Sequence, residues 1–525
     1  MKLRNLGLVL CASGALFAAA CSSDDDSGSN NTGGGGSSGK GGASGAAGKS
    51  GGGGKGGGTA GNDNAGTGNE AGVIDTAGTG NESGAGGEGG SSNTETFTVT
   101  LENVAPVKAV TSSGVFDTPF GSTAVGPAIP GQAYHFTVDA GRKQKLHFAT
   151  MLAATNDLFF GPDGDGIALY DDAGAPLGTT ATPVDVTSKV YLWDAGTELN
   201  QLPFIGDTTV GNQTAANTGP VDTDTKVRKI GDNTAGVTYA YPAVNTLLNV
   251  TIAHTTGTNF DVVIQVLANA ALVLPGDVNT SHPVPISPGV WAVSGNANPL
   301  FTAGVAAPAH GLEALAEDGK AATLGTYLAA NAGITYPASP GVWLVHTSGT
   351  KPLFTTGTAD AGKGLEAIAE DGNPATLGTN LASLDGYLTG AIFNKPVGSA
   401  TASAIVPGAK YTFTFDANPG DSLSFASMLA ATNDVFFAPA AGGIALFDAD
   451  GVALTGDVSD QVSLWDAGTE ANEEPGIGPN TVTNQLAANT GTAGEGKVQL
   501  LSAVTTDTYP YPTPQSVLKV TIATK

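Results

Sequence analysis

Leu192-Trp193-Asp194-Ala195-Gly196-Thr197-Glu198 recurs almost unchanged as Leu464-Trp465-Asp466-Ala467-Gly468-Thr469-Glu470. Each copy sets two carboxylates four residues apart around an Ala-Gly pair, directly behind a Trp. Small residues between acids let the backbone curl, so that side chains and nearby carbonyls can converge on one point. Hard cations such as Ca²⁺ take about six to eight oxygens from loops of this kind. A further acid stands upstream in a shared phrase, Met151-Leu152-Ala153-Ala154-Thr155-Asn156-Asp157 and Met428-Leu429-Ala430-Ala431-Thr432-Asn433-Asp434. Ionised carboxylates gathered without a counter-charge are costly to bury, and a divalent ion removes that cost. The plainer alternative is that Asp194 and Glu198 cap turns by accepting backbone N–H groups.

Around these phrases lie short alternating runs, beginning with Thr96-Phe97-Thr98-Val99-Thr100-Leu101. Tyr134-His135-Phe136-Thr137-Val138 is answered by Tyr411-Thr412-Phe413-Thr414-Phe415. Gly166-Ile167-Ala168-Leu169-Tyr170 is answered by Gly443-Ile444-Ala445-Leu446-Phe447. Period-two runs separated by Gly, Pro and Asp predict an all-β chain of antiparallel sandwiches. The repeat predicts one domain over 94–257 and a second over 258–525, opened by Phe260-Asp261-Val262-Val263-Ile264.

The second domain is expected to carry an insertion over 287–390 that is itself doubled. Ser287-Pro288-Gly289-Val290-Trp291 recurs as Ser339-Pro340-Gly341-Val342-Trp343, and Gly311 to Gly319 recurs as Gly364 to Gly372. Leu and Ala at helical spacing, stopped by Gly, predict a brief strand followed by helical turns in each unit. Glu317, Asp318, Glu370 and Asp371 are expected as solvated helix ends. Trp193 and Trp465 are expected as core plugs behind tight loops, and Phe159, Phe160, Phe436 and Phe437 as buried strand residues.

Lys2 and Arg4, the apolar run Leu6 to Ala20, and Ala18-Ala19-Ala20-Cys21 have the three-part form of a secretory signal, too short for a stable span. The small residues before Cys21 resemble a bacterial lipobox, which implies that the signal segment 1–21 is cut just before Cys21 and that Cys21 is lipidated as the new N-terminus. Ser22 in the next position resembles lipoproteins sorted to the outer membrane. Residues 22–93 are mostly Gly, Ser, Asn, Ala and Thr and bury too little apolar surface to offset ordering entropy, so a disordered stalk is expected. Within it, Ala43 to Ser50 meets a relaxed phosphate-loop pattern with no strand before it or helix after it, and nucleotide binding is not expected. The net charge of −26, with no Lys/Arg cluster, argues against nucleic acid as a partner. The six His show no zinc spacing, and no Gly-x-Ser-x-Gly phrase lies between a strand and a helix in the folded region.

These landmarks resemble the spondin N-terminal domain family, in particular its bacterial lipoprotein members. The carrying residues are Thr155 to Phe160, Leu192 to Glu198, Gly206 and Tyr239-Ala240-Tyr241-Pro242, with Thr432 to Phe437, Leu464 to Glu470, Gly478-Pro479-Asn480 and Tyr509-Pro510-Tyr511-Pro512 in the second copy. The resemblance implies two C2-like antiparallel β-sandwiches, each with a loop-built Ca²⁺ site. Matched by position, the ligands would be Asp157, Asp194 and Glu198, and Asp434, Asp466 and Glu470. The sequence departs from the family where Leu158 and Val435 follow the first acid in place of Trp, and where Glu198 and Glu470 replace Asp. By analogy with animal members, the expected function is non-catalytic: a lipid-anchored cell-envelope protein that binds an extracellular or envelope ligand. The rivals are a calcium-dependent glycan-binding module, and an envelope-structural protein whose metal only stabilises the fold.

Overall fold

Threonines alternate with Phe97, Val99 and Leu101 along the strand Glu95–Asn103, and those three apolar side chains are buried in a core. Successive strand residues face opposite sides of a sheet, which is why the alternation read as a half-buried strand. The computed structural model describes residues 94–231 and 239–525. The expected signal peptide, Cys21, the stalk and the phosphate-loop pattern lie outside the described residues.

The partners of Glu95–Asn103 are far away in sequence. It lies between Lys410–Ala417 and Leu518–Thr524, antiparallel to both. Asn259–Val266 in turn lies between Ala133–Asp139 and Leu248–Thr256. The boundary expected at 257/258 therefore cuts through a hairpin. The physical reason is the turn at Gly257, whose φ of 58° is easy for glycine and folds the chain straight back on itself. Pairing across so short a loop needs little closure entropy, so Asn259–Val266 stays with the strand before it. Its counterpart Glu95–Asn103 fills the same place in the other unit.

Two β-sandwich-like units result. A guest, residues 112–330, is interrupted by no other unit. A host is built from residues 95–103 and 338–525, and the guest is inserted between those two pieces. In the guest, the larger sheet runs Ser112–Phe116, Ile286–Ser294, Lys145–Leu152, Leu158–Pro162, Val190–Asp194, Arg228–Lys229. In the host it runs Tyr387–Phe393, Ala338–Thr347, Asp421–Leu429, Val435–Pro439, Val462–Asp466, Gln499–Leu500. The spatial order is the same and the chain order is not: the guest is a circular permutation of the host.

The stretch expected as an insertion is thus shared between the units. Ile286–Ser294 and Ala338–Thr347 are interior strands of the two larger sheets. The helices that follow, α1 (Leu312–Asp318) and α2 (Ala322–Ala330) in the guest, α3 (Leu365–Asp371) and α4 (Ala375–Asn380) in the host, cover the outer faces of those sheets. Each unit therefore has three layers: a small sheet, a large sheet and a helix pair. Lys145–Leu152 and Asp421–Leu429 are buried on both faces, which is why they read as continuous apolar runs. Trp193 and Trp465 sit under the helix layer as expected, each donating its indole N–H to a carbonyl, Gly161 or Ala438, at 3.1 Å.

Two chain crossings join the units side by side. Val110 bridges Ala332, and the N–H of Lys108 donates to Thr335 Oγ1 at 2.9 Å. A second contact brings the guest turn at 141–144 onto a host loop. There Arg142 donates to the carbonyls of Pro479 and Asn484, and Gln144 to that of Gly476.

This connectivity gives a direct test by truncation. A fragment spanning 108–335 contains every strand of the guest and should melt cooperatively. A fragment spanning 258–525 lacks the central strand Glu95–Asn103 and carries a strand with no sheet to join. It should show no cooperative thermal transition by circular dichroism. Phe97→Ala in the full chain should destabilise the host by about 3–5 kcal/mol, seen as faster proteolysis within 410–525 than within 112–330.

Candidate functional site

The Asp157 and Asp194 carboxyls meet because their strands pair: Leu158 lies opposite Asp194 in the register of Leu158–Pro162 against Val190–Asp194. The host repeats this with Val435 opposite Asp466. In each unit the two carboxyls are within hydrogen-bonding reach of one another and closed off from solvent. Burial, and then the neighbouring carboxylate, push Asp157 and Asp434 well above the ordinary range for Asp. Burial also raises Asp194 and Asp466.

The Ala-Gly pair is needed for the turn behind these acids. Gly196 and Gly468 have φ of 71° and 70°, and a Cβ on either would stand 2.5 or 2.2 Å from the carbonyl oxygen of Lys226 or Lys497. The curl brings backbone N–H groups onto the first acid. Asp157 Oδ2 accepts from Thr197 N at 2.9 Å and Glu198 N at 3.1 Å, and Asp434 Oδ2 from Thr469 N and Glu470 N at the same two distances. Gly196 N donates to Asp194 Oδ1, and Gly468 N to Asp466 Oδ1, both at 2.7 Å.

The third expected ligand joins differently. Glu198 meets Asp157 through its main-chain N–H, while its carboxylate accepts from Asn156 Nδ2 at 3.2 Å and Gly219 N at 2.6 Å. Glu470 does the same with Asn433 Nδ2 at 3.1 Å and Gly491 N at 2.7 Å. The extra methylene of Glu over Asp is what lets the carboxylate span to the far side of the loop. Two carboxyls per unit therefore face each other and the third staples the loop, rather than three facing one point. Among the described residues no three His, Cys, Asp or Glu side chains are disposed to hold a metal ion by themselves.

Sequence reasoning missed two participants. One is the helix acid. Glu317 and Glu370 are 1% and 2% exposed, so the expectation of solvated helix ends is corrected. The reason is that α1 and α3 lie against the large sheets and end under the loop, where Gln213 and Gln485 also hold Asp318 and Asp371. Thr197 Oγ1 lies 2.7 Å from both Asp157 Oδ1 and Glu317 Oε1. Thr469 Oγ1 lies 2.9 Å from Asp434 Oδ1 and 2.6 Å from Glu370 Oε1. A hydroxyl has one hydrogen, so one carboxyl in each trio must be protonated and donate to it. Asp157 and Asp434 each already accept two backbone N–H groups, which favours their charged form, while burial pushes Glu317 up to about 8 and Glu370 up to about 7, so the proton is assigned to the helix acids.

The other missed participant is Arg228, paired in register with Asp194. Its guanidinium Nη2 lies 2.7 Å from Asp194 Oδ2 and also pairs with Asp222. The only cue in the sequence is a basic residue 34 positions after Asp194, a separation that carries no signal without the strand pairing. In the host, Gln499 stands opposite Asp466. Gly494, which follows Ala493 as Asp222 follows Val221 beside the corresponding bridges, stands where the second acid would be. Lys497, two residues before Gln499, pairs with Glu495 at 3.2 Å instead.

The expectation of one Ca²⁺ per unit thus meets two different sites. In the guest a guanidinium 2.7 Å from Asp194 supplies the positive charge beside the pair, so the residues do not fit a metal. The host pair has no basic partner among the described residues. Beside it Asn472, whose amide reaches Asp466 Oδ2 at 3.3 Å, has a buried Oδ1 with no partner. Two carboxylates and a free amide oxygen are hard oxygen donors of the kind Ca²⁺ takes.

No family model matches the chain, and no curated protein matches it in sequence.

Glu317 and Glu370 dictate a pH dependence. Their folded-state values stand above the roughly 4.3 of an unfolded Glu, so their contribution to stability is complete below that value and lost as pH rises through about 8 and about 7. Melting temperature should fall between pH 5 and pH 9, and Glu317→Gln, which is neutral throughout, should flatten the guest's share of that fall.

Proposed function

We propose that this chain is a non-catalytic binding protein of the cell envelope, held at the membrane through a lipidated Cys21, with two C2-like, spondin-type sandwiches as its recognition modules. The observation that carries this reading is that one end of each large sheet bears a long loop, 195–227 or 467–498, stapled by buried carboxyls. Long loops on a rigid sheet are a common setting for ligand contacts, and pinning them lowers the ordering entropy lost on binding. The acids support the non-catalytic reading because they are used on loop amides and lie beneath the surface, where a substrate cannot touch them. The outer-membrane address rests on the lipobox-like residues and Ser22.

Calcium enters at the host. Asp434 and Asp466, with the Asn472 amide oxygen, would hold it, and its charge would offset the repulsion of the carboxylate pair. Bound there, it would stiffen the 467–498 loop and take no part in chemistry.

Calorimetric titration of residues 94–525 with CaCl₂, beside Asp466→Asn, tests the reading. A ligand that binds only the folded state adds about 2.7 kcal/mol at a hundredfold excess over Kd. The wild-type melting temperature should rise by several degrees with Ca²⁺, and Asp466→Asn should lose that response. Equal melting temperatures in Ca²⁺ and in chelator would defeat the metal assignment and leave a shared proton as the host pair's counter-charge. A glycan array and a panel of matrix proteins, each probed with and without chelator, would separate glycan from protein ligands. Silence on both would favour a structural role in the envelope.

A further inference from the structure

We propose that Arg228 is a resident cation: it does for Asp157 and Asp194 in the guest what an external cation does for Asp434 and Asp466 in the host, so that only the host takes metal. This rests on the preceding reading of the host pair and goes beyond it by making the two units unequal.

One molecule holds both versions of the site. The two sites superpose contact for contact: the same pair of N–H groups on the first acid, the same Gly N–H on the second, the same Asn and Gly donors on the Glu. They differ at the residue paired with the second acid, Arg228 against Gln499. A second difference accompanies it. Asp222, fully buried and bonded to the guanidinium, has Gly494 in its place in the host. Asp222 without Arg228 would be a buried carboxylate with no cationic partner. The acid and the arginine are present together or absent together, as expected of one charge-compensating device.

The charge count agrees. In the guest one guanidinium faces Asp194 and Asp222 closely, with Asp224 Oδ2 at 3.6 Å at the surface. In the host the charged groups facing Asp466 from the adjoining strand and loops are acidic, Glu495 and Asp434 among them, and Lys497 is turned to Glu495. A guanidinium is also a poor neighbour for a divalent ion, so its presence at 2.7 Å from Asp194 excludes metal from the guest pair as well as making it unnecessary.

The test uses residues 94–525 with three variants, Arg228→Gln, Arg228→Lys and Gln499→Arg, each titrated with CaCl₂ by calorimetry and melted in Ca²⁺ and in chelator. Arg228→Gln gives the guest the host's amide beside the second acid while Asp222 stays in place. It should melt lower in chelator and gain a calcium-induced rise that the wild type lacks in the guest, taking the stoichiometry from one ion to two. Arg228→Lys keeps the charge and should gain no calcium response. Gln499→Arg places a guanidinium beside Asp466, as Arg228 stands beside Asp194, and should abolish the wild-type calcium heat. An Arg228→Gln protein that loses stability equally in Ca²⁺ and chelator, with no additional binding, would show that Arg228 acts by packing alone and would overturn the inference. So would a Gln499→Arg protein that keeps the full calcium heat. Should the wild type be silent to calcium, the host assignment fails by itself, and the gain or absence of a calcium response in Arg228→Gln still decides the role of Arg228. If Arg228→Gln does not fold, Gln499→Arg, which adds charge to an intact site, carries the decision.

Discussion

Two carboxyls in contact, shut away from water, cannot both be ionised without a third party. That constraint governs the end of each large sheet. The protein meets it first with geometry, aiming the N–H groups of the Asp-Ala-Gly-Thr-Glu turn at the two acids, each bond to a charged acceptor being worth more than a neutral one. It meets it further with protons on Glu317 and Glu370, relayed through Thr197 and Thr469. What remains is a net charge, and there the two units part company. Arg228 closes the balance in the guest; the host is left open at Gln499.

The same cluster is assembled in both units although the chain visits their strands in different orders. This is possible because all its parts come from segments that keep their sequence in both copies: the first acid, the Trp-Asp-Ala-Gly-Thr-Glu turn and the returning strand at Arg228 or Gln499. The guest begins at Ser112 and ends at Ala330, a break between the helix layer and the edge strand beside it. Relocating chain ends to such a surface connection leaves the sheet contacts intact.

Much of this was readable beforehand, and the rest was hidden for identifiable reasons. The alternation in Thr96 to Leu101, the matching strands at Tyr134 and Tyr411 and the burial of both tryptophans follow from side-chain period and size, which act locally. The turn after each Trp was legible because Ala-Gly between acids has few other conformational uses. Which strand joins which sheet was not, since Phe260 to Ile264 opens a repeat in sequence but closes a hairpin in space. Only the turn at Gly257 discriminates, and it does so by chain entropy. Arg228 was invisible for a different reason: its partner is set by register across a loop of some thirty residues, and the loop's path is fixed by the very acids in question. Glu317 read as a solvated helix end because helix α1 alone does not disclose that a loop lies over its last turn.

The position of Glu95–Asn103 has a mechanical corollary. The strand is zipped on both sides, Phe97 standing opposite Phe415 on one flank and Thr524 on the other. Tension applied along it from residue 94 loads two hydrogen-bonded ladders in shear, so their bonds resist as a group instead of peeling singly. A chain that enters its fold through a central strand is gripped where an edge strand would be stripped away.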